Sequence, residues 1–424
     1  MSDQSQNNKF KIILGPGLLF AASSVGVSHV VQSSRAGAEF GLGLLLTVLL
    51  VNFIKYPAFQ FGTQYSLATG TTLLQGYRNI GKWAVVAYGI VNFLVMPVVF
   101  AALSLATSGV IIVVTGTTAP ILVISPLLML SCVLLLQFGG YAVLEKLVKI
   151  LVIIFTALTF LATINAVWNY DIFSSFTAFP PEVSITSLFF IIAFIGWMPT
   201  GLEASVWQSL WTLKKAKEKP SRFAIRQFRM DFNIGYVGTT VLAVCFIILG
   251  TALMHNTGDR FPGSASAFIA QVIKLYSSSI GEWCVPLIGV CTFAVLFSTV
   301  ITVIDGFPRA LMIATERLKT DETPWKEEHI NKGKLYLFFM VAGCVGAYLL
   351  IILWAASFKM FIDFATTVSF VFAPIVAFLN HNAMHNKEVH MDDRPKGFMN
   401  ILSLAAIIFL TLFACFYAYL KLLA

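Results

Sequence analysis

The sequence predicts an all-α protein that spans a membrane many times, and its composition carries this prediction. The chain has 424 residues, of which 58% are hydrophobic and only 11% are charged. Its mean hydropathy is +0.84. A soluble domain carries about 25% charged residues, so this chain has too little polar surface to face water on every side. Apolar runs of about 20 residues recur along the chain, which is the length that crosses a bilayer as a helix. These observations exclude a water-soluble enzyme.

Each apolar run is predicted to form one membrane span. Residues 1–11 are polar and lack a cleavage pattern, so they are predicted to be a cytoplasmic tail and not a signal peptide. The six cysteines lie far apart in apolar runs, which indicates buried side chains and no disulfide or metal framework. The predicted spans, numbered one to eleven, are 12–33, 42–66, 84–113, 120–139, 147–168, 184–208, 232–254, 283–305, 335–356, 360–380 and 401–422.

The distribution of basic residues predicts the orientation of the chain in the membrane. With the N-terminus in the cytoplasm, 22 of the 28 lysines and arginines fall on the inner side, five fall on the outer side, and Lys55 lies within a span. Positive residues concentrate in cytoplasmic loops, so the N-terminus is expected inside and the C-terminus outside. The net charge of +8 then reflects topology and anionic lipid. A nucleic-acid partner is excluded because the basic residues lie in short loops. The short loops favour the inner membrane of a bacterial cell.

Two spans carry residues that interrupt a helix. In span one the polar segment 23–29 includes Gly26, and in span six Pro199 lies between Gly196 and Gly201. Proline and glycine weaken a helix interior, and unwound backbone is tolerated inside a membrane only where it lines a cavity or is buried in protein. Because the two breaks are five spans apart, they predict inverted repeats of five helices, 12–168 and 184–380, with a substrate site at the breaks. Span eleven, 401–422, is then an addition.

Several short motifs are distributed over the first 70 residues and around the sixth and seventh spans. They are Gly15-Pro16, Ala36-Gly37-Ala38 with Gly41, Asn52, Ala68-Thr69-Gly70, Met198-Pro199 and Asp231-Phe232-Asn233-Ile234. Together they resemble the motifs of the Nramp family of divalent-metal transporters. This resemblance implies the LeuT-type fold of two inverted five-helix repeats, alternating access and secondary-active transport.

The departures from that family concern its metal site and its proton path. Where the family has Asp-Pro-Gly-Asn, this chain has residues 26–29, Gly-Val-Ser-His, and the family's Met-Pro-His ends here in Thr200. No acidic residue occurs between Glu39 and Glu145, and residues 335–356 carry no charge. Of the divalent site implied by the resemblance, only Met198 is retained. A dehydrated divalent cation lacking carboxylate ligands is disfavoured.

These departures lead to the prediction of a small-anion importer, with bicarbonate as the leading substrate. Helices that restart after the two breaks direct free N–H groups and positive dipole ends into one cavity. A histidine at the break is able to donate a hydrogen bond or carry a proton. No catalytic motif accompanies these residues, so neither an enzyme nor a sensor is expected. The predicted substrate residues are Gly26, Ser28, His29, Met198, Thr200 and Gly201.

Sodium is the predicted coupling ion, and no other cofactor is expected. The prediction comes by similarity to sodium symporters of the same fold, in which hydroxyls of the eighth helix and carbonyls of the first-helix break bind Na⁺. Serine and threonine also form hydrogen bonds across membrane helices for purely structural reasons. A structural role for these hydroxyls is therefore the alternative to sodium binding. The residues concerned are Ser24 and Val25 through their backbone, and Ser298, Thr299 and Thr302 through their side chains.

The alternative prediction is a divalent-cation transporter that uses Met198, Glu203, His29 and carbonyl groups. Glu203 is the carboxylate near the sixth-span break, about 7.5 Å beyond Met198 if the intervening residues are helical. Lys55 and Thr367 are further candidates for gating or charge pairing. The two hypotheses differ in geometry. A cation site requires Glu203 to face the cavity, whereas an anion site requires His29 there with Glu203 turned away. A monomer in the lipid bilayer that carries a small inorganic ion is expected in either case.

Overall fold

A computed structural model describes residues 15–138, 141–173, 177, 184–218, 224–255, 263–319, 333–354 and 357–423. Residues 1–14 lie outside the described residues, and they include the predicted tail 1–11 and the start of the first predicted span. The loops between the described ranges also lie outside them. Within them, nine helical segments are long and apolar enough to cross a membrane, and the first, Pro16–Thr69, contains two predicted spans. The sixth span is a pair of shorter helices. The prediction of a multi-pass, all-helical membrane protein is confirmed.

The helices are numbered here in chain order. The first span consists of α1 (Pro16–Ser24), a π-helical segment (Val27–Ser33) and α2 (Ser34–Phe40), and a 3₁₀ turn (Gly41–Leu44) leads into the second. The others are α3 (Leu45–Thr69), α4 (Leu73–Ile80), α5 (Lys82–Thr115), α6 (Ile121–Phe138), α7 (Tyr141–Asn169), α8 (Ile185–Trp197), α9 (Ala204–Glu218), α10 (Ala224–Gly250) with a π-helical end (Thr251–His255), α11 (Ala265–Ile280), α12 (Val285–Lys319), α13 (Lys334–Trp354), α14 (Phe358–His385) and α15 (Phe398–Leu423).

Some predicted boundaries are wrong. Helices α5 and α12 contain 34 and 35 residues, about 50 Å each, whereas the hydrocarbon core is about 30 Å thick. They continue beyond the apolar runs, and in α12 the helix passes through Asp305 and Arg309, which bind each other one turn apart. Hydropathy also gave no sign of α4 and α11. Both are too short to be found as spans, and α11 buries one face against α5 and α7.

The two broken spans occupy the centre of the bundle. Helix α1 packs against α9, α10 and α12, while α9 also packs against α3. On the other side of the second break, α8 packs against α14. Helix α15 lies against α14 and α3, in agreement with its prediction as an addition to the central ten spans. The breaks are therefore enclosed by protein.

Glycines allow α1 and α10 to touch through their backbones. A Cβ atom on Gly17 would lie 2.0 Å from the carbonyl oxygen of Asp231, and one on Gly235 would lie 2.2 Å from the carbonyl oxygen of Gly17. Neither distance is sterically possible, so any larger residue would force the helices apart. Small residues at helix interfaces are the common means of close packing in membranes. This contact fixes the first half of span one against the seventh span.

The outer faces of the described helices are apolar, as a lipid environment requires. Leu127, Ile153, Val237 and Leu353 are each more than half exposed. Four of the six cysteines are buried, Cys344 is half-buried and Cys415 is exposed. The prediction that all six cysteines are buried is therefore wrong for Cys415, because α15 lies at the edge of the bundle.

Candidate functional site

The first break is a short interruption between α1 and the π-helical segment. Val25 and Gly26 leave helical geometry, with φ/ψ values of −75°/88° and −151°/−131°. The hydroxyls of Ser23 and Ser24 both donate to the carbonyl oxygen of Phe20 at 2.8 Å. The hydroxyl of Ser28 lies 2.8 Å from the carbonyl oxygen of Ser24 and 2.8 Å from Nδ1 of His29, and its one hydrogen serves one of these acceptors at a time. Serine hydroxyls thus supply polar partners beside the break.

The second break separates α8 from α9, and Lys55 binds the carbonyl groups at the end of α8. The Met198–Pro199 peptide is cis. From α3, the fully buried Nζ of Lys55 donates to the carbonyls of Ile195, Gly196 and Met198 at 2.7, 2.8 and 3.0 Å. A cation at the C-terminal end of a helix complements its dipole and its unpaired carbonyls. Lys55 therefore acts as a cap for α8. It attracts Glu203 electrostatically, but within the described chain the two form no ion pair within 4 Å.

A small buried cavity lies between the two breaks. The space available to the centre of a water-sized sphere is about 20 Å³, enough for about one such particle. One wall is apolar and is formed by Val99, Leu103, Trp197, Trp207 and Val303. The remaining lining residues belong to the breaks or to α12 and are Ser23, Ser24, Gly26, Val27, Ser28, Thr200, Glu203 and Thr299. The cavity therefore has room for one particle of about the size of a dehydrated ion.

Glu203 is the acidic side chain that lines this cavity. It is 5% exposed, and Ser369 of α14 donates to Oε1 at 3.4 Å. The expectation that it lies along a helix beyond Met198 is wrong, because α9 begins at Ala204 and Glu203 belongs to the unwound segment. Its carboxylate occupies the positive N-terminal end of α9, the place where an anion was expected.

His29 faces protein and not the cavity. Its Nε2 lies 3.0 Å from the carbonyl oxygen of Thr239, so this nitrogen donates, and its Nδ1 lies 2.8 Å from the hydroxyl of Ser28. The ring is completely buried. Both nitrogens are thus engaged between the first span and α10, as in a packing histidine. The anion-site geometry predicted from the sequence, with His29 in the cavity and Glu203 turned away, is reversed in this structure.

Other predicted substrate residues are distributed unevenly. Thr200, Gly26 and Ser28 line the cavity, whereas Gly201 and Met198 do not. The Met198 side chain packs in an apolar cluster that contains Val48, Phe194 and Ile195. This leaves the cavity with oxygen groups and no thioether. The sulfur of Met198 is buried because the backbone turns at the break and directs this side chain into the cluster.

Thr367 on α14 also lies away from the cavity, and the hydroxyl that reaches Glu203 belongs to Ser369. Two residues along a helix correspond to a rotation of about 200°, so a small error of register selects the opposite face. The sequence carried no signal that distinguishes the two hydroxyls.

Thr299 on α12 meets the first break directly. Its Oγ1 lies 2.9 Å from the carbonyl oxygen of Ala22, 3.2 Å from that of Val25 and 3.1 Å from that of Val295. One hydroxyl hydrogen serves only one of these three acceptors at a time. The oxygens of two backbone segments therefore converge on a single point beside the cavity.

The remaining hydroxyls predicted for the coupling ion do not reach that point. Ser298 donates to Val295 at 2.7 Å and Thr302 donates to Ser298 at 2.6 Å, both within α12. The carbonyl that lies beside that of Val25 at this point belongs to Ala22, whereas the carbonyl of Ser24 lies 2.8 Å from the hydroxyl of Ser28. Ala22 was missed because an alanine side chain gives no indication that its carbonyl is exposed at a helix end.

Contacts at both ends of the first span join it to other helices. At one end, Nη1 of Arg35 lies 2.6 Å from Oδ1 of Asp363, and the guanidinium lies 4.1 Å from the centre of the Phe190 ring. At the other end, Asp231 accepts bonds from the backbone amides of Gly15 and Gly17 at 3.2 and 2.6 Å. Each set of contacts therefore holds one half of the broken span in place.

A helix bundle with two broken helices that meet around a central cavity is the architecture of secondary-active transporters. The fold matches a variant of the manganese transporter of Eremococcus coleocola with a TM-score of 0.74 and 13% identity, covering 98% of this chain and 88% of that one. It also matches the nucleobase-cation-symport-1 family transporter Mhp1, with a TM-score of 0.59, 12% identity and coverage of 95% and 91%. A third match is MhsT in complex with L-phenylalanine, with a TM-score of 0.60, 13% identity and coverage of 96% and 97%. The protein therefore has the LeuT-type fold.

Sequence comparison identifies the family. The model of the natural resistance-associated macrophage protein-like family, Nramp, matches residues 17–419. An uncharacterised protein of Pasteurella multocida (strain Pm70) is 33% identical over 403 residues, which covers 94% of this chain and 90% of that protein. The chain belongs to the Nramp family, and the resemblance seen in its short motifs is confirmed.

Proposed function

We propose that this protein transports a hard divalent metal cation, such as Mn²⁺ or Mg²⁺, through the cavity between its two broken helices. The observation that carries the proposal is the position of Glu203, whose carboxylate lines the cavity while His29 points to Thr239. This is the geometry that a cation site requires. The family supports the same substrate class, and the structural relative from Eremococcus coleocola is described as a manganese transporter.

The chemistry of the lining favours a hard ion over a soft one. The donors around the cavity are a carboxylate, the hydroxyls of Ser28, Thr200 and Thr299, and backbone carbonyls. Carboxylate, carbonyl and water oxygens suit Mg²⁺, Ca²⁺ and Mn²⁺, whereas thioether and thiolate ligands select softer metals. With Met198 packed elsewhere, the site offers oxygen alone. Bound water would complete the coordination of an ion that holds few protein ligands.

The positions of Glu203 and His29 remove the main argument for bicarbonate as the substrate. It depended on free N–H groups at the start of α9 and on a cationic or donating His29. The first amides of α9, those of Ala204 and Ser205, already donate to backbone carbonyls, and the carboxylate of Glu203 would repel an anion in the cavity. His29 has both ring nitrogens bound to protein atoms.

The decisive experiment is uptake of Mn²⁺ and Mg²⁺ into proteoliposomes by the wild type and by the Glu203→Gln variant. Glutamine keeps the size of the side chain and removes its charge. We expect saturable uptake of at least one ion by the wild type and a loss of more than tenfold in the variant, equivalent to at least about 1.4 kcal/mol. Glu282→Gln, at an exposed position outside the bundle core, is the matched control and should transport normally.

Two results would contradict the proposal. One is saturable metal uptake that is equal in the wild type and in Glu203→Gln. The other is uptake of labelled bicarbonate that depends on His29 and persists without Glu203, which would restore the anion hypothesis.

We further propose Na⁺ as a coupling ion at Thr299. The support is the convergence of the Ala22, Val25 and Val295 carbonyls on Oγ1 of Thr299 within 3.2 Å. Three partial negative charges around one hydroxyl hydrogen favour a bound cation, and oxygen ligands from an unwound helix and its neighbour suit a small monovalent ion. Occupancy would tie α1 to α12 and so couple the ion to closure of the first break.

The test is substrate uptake with and without an inward Na⁺ gradient. Thr299→Val retains the shape of the side chain and removes the oxygen, and it should abolish stimulation by Na⁺. Thr302→Val, which removes only a bond within α12, should retain it. Uptake that is insensitive to Na⁺ in the wild type would exclude this coupling and leave the divalent substrate untouched.

A further inference from the structure

An apolar groove on the outer face of the bundle shares no lining residue with the transport cavity. It runs between α5, α12 and α13, and its lining includes Gly89, Phe93, Leu318 and Phe339. The space available to the centre of a water-sized sphere is about 310 Å³, which falls in the range of ligand pockets. Phe93 is 47% exposed, so the groove opens toward the surroundings of the bundle. A membrane-embedded groove of this kind is accessible to lipid chains.

Gly89 gives the groove its depth. A Cβ atom at this position would have no heavy atom within 4 Å, so no packing contact requires glycine here. The residue is half-buried in the interior of a helix, where glycine costs about 0.5–1 kcal/mol relative to alanine. Neighbouring helices therefore leave an open channel along α5 that a larger side chain would fill.

Three lysines mark one end of the groove. Lys82 is the first residue of α5, Lys319 is the last of α12 and Lys334 is the first of α13, and all three are exposed. Each lies within five residues of a groove residue on its own helix, a rise of less than about 8 Å. Glu316, which is near Lys319 in the chain, interacts with Arg317. Trp83 is 55% exposed at the same end, as is typical of residues at a membrane interface.

We propose that this groove is a binding site for an anionic phospholipid. One acyl chain lies in the channel along Gly89, and the phosphate lies among Lys82, Lys319 and Lys334. An apolar channel that leads to a cluster of cations matches the two parts of such a molecule. Basic residues beside membrane-embedded segments recognise anionic headgroups in this way. By the charge-based orientation, the site faces the cytoplasmic leaflet.

The test uses the purified full-length protein in detergent and does not depend on the transported ion. Phosphatidylglycerol and phosphatidylcholine with identical acyl chains are added separately, thermal unfolding is followed, and bound lipid is counted by native mass spectrometry. We expect phosphatidylglycerol to raise the melting temperature by several degrees more than phosphatidylcholine. Inorganic phosphate at the same concentration should have no effect, because it cannot fill the channel.

Gly89→Leu is the diagnostic variant and Gly238→Leu is its matched control. Gly238 is also a helical glycine on an exposed face with no heavy atom within 4 Å of an added Cβ. Both changes improve helix propensity, but only the first fills the groove. We expect Gly89→Leu to lose the retained lipid and the stabilisation, and Gly238→Leu to keep both. Simultaneous replacement of the three lysines by glutamine should remove the preference for phosphatidylglycerol and leave the protein folded.

Four outcomes would overturn the proposal. They are equal stabilisation of the two leucine variants, equal stabilisation of the wild type by both lipids, stabilisation by inorganic phosphate, and a wild-type dimer that dissociates in Gly89→Leu. The last result would show that a second copy of the chain covers the groove.

Discussion

The ammonium nitrogen of Lys55 lies 2.7 Å from the carbonyl oxygen of Ile195, in the last turn of α8. With the carbonyls of Gly196 and Met198 it completes three bonds in the interior of the bundle. A lysine on α3 thus terminates a helix that begins about 130 residues later in the chain. The position of the second break depends on this contact between spans two and six.

Replacing Lys55 by methionine should destabilise the protein. Methionine fills the same volume but leaves three buried carbonyls without a donor, and each unsatisfied buried group costs about 1–3 kcal/mol. We expect a lower melting temperature and loss of transport, with partial recovery in Lys55→Arg. Lys387→Met, at an exposed loop position, is the control. A melting temperature equal to that of the control would show that the carbonyls have other partners.

Loss of the Arg35–Asp363 pair should open one end of the cavity. Arg35 is 4% exposed and Asp363 is 31% exposed, and a hydrogen bond between charged groups of this kind contributes about 1.5–3 kcal/mol, while Arg35 keeps its bond to Glu39. In a cysteine-free background we expect Asp363→Asn to raise the labelling rate of a cysteine placed at position 200 by at least tenfold. The reagent is a membrane-impermeant thiol probe added on the Arg35 side.

Lys359→Met provides the comparison for this prediction. Lys359 binds Glu39 at 2.8 Å, but Lys359 is 39% exposed whereas Arg35 is 4% exposed, and exposed pairs contribute only about 0–1 kcal/mol. Its labelling rate should stay near that of the parent protein. Equal rates in the two variants would mean that Arg35 does not hold the closed state.

Asp231 should hold the start of α1 in place at the opposite end. Its carboxylate accepts bonds from the amides of Gly15 and Gly17, and loss of such a helix cap costs about 0.5–2 kcal/mol. Asp231→Ala should lower the melting temperature and increase labelling of position 200 from this side. Asp231→Asn retains an acceptor oxygen and should behave more like the wild type. Identical behaviour of the two variants would argue against the capping role.

Ser369 should have a small effect on substrate affinity. Its bond to Glu203 is 3.4 Å long, beyond the usual length of a strong hydrogen bond between oxygens. We expect Ser369→Ala to weaken the apparent affinity for metal by less than about threefold, below the effect of an ordinary bond to a charged group. Thr367→Ala should have no effect. Concentration-dependent uptake distinguishes the two, and a tenfold effect of Ser369→Ala would assign it a direct contact with the ion.

Local chemistry made the two helix breaks predictable. Serine, glycine and proline at 23–29 and 196–201 change the backbone at their own positions, so no knowledge of distant residues is needed. The family motifs and the spacing of the breaks then predicted the repeat architecture, and comparison with solved structures confirms the LeuT-type fold. The division at 12–168, 184–380 and 401–422 and the cytoplasmic N-terminus remain predictions.

The direction of individual side chains was not predictable. Ser298 and Thr299 are adjacent, but successive residues on a helix point about 100° apart, and only Thr299 faces the first break. Likewise, the presence of a histidine at position 29 suggested an anion ligand, whereas its ring nitrogens contact the carbonyl of Thr239 and the hydroxyl of Ser28. Which face of a helix meets the cavity depends on the helices packed around it.

The membrane location of this chain, the positions of its helix breaks and its family resemblance could all be predicted from the sequence. These properties follow from composition, from local backbone chemistry and from short motifs. The placement of Glu203 in the cavity lining and of His29 outside it required the folded bundle, because the partners of both residues come from distant helices. In a low-dielectric interior a buried polar group must find its partner, and where that partner lies is a property of the packed bundle.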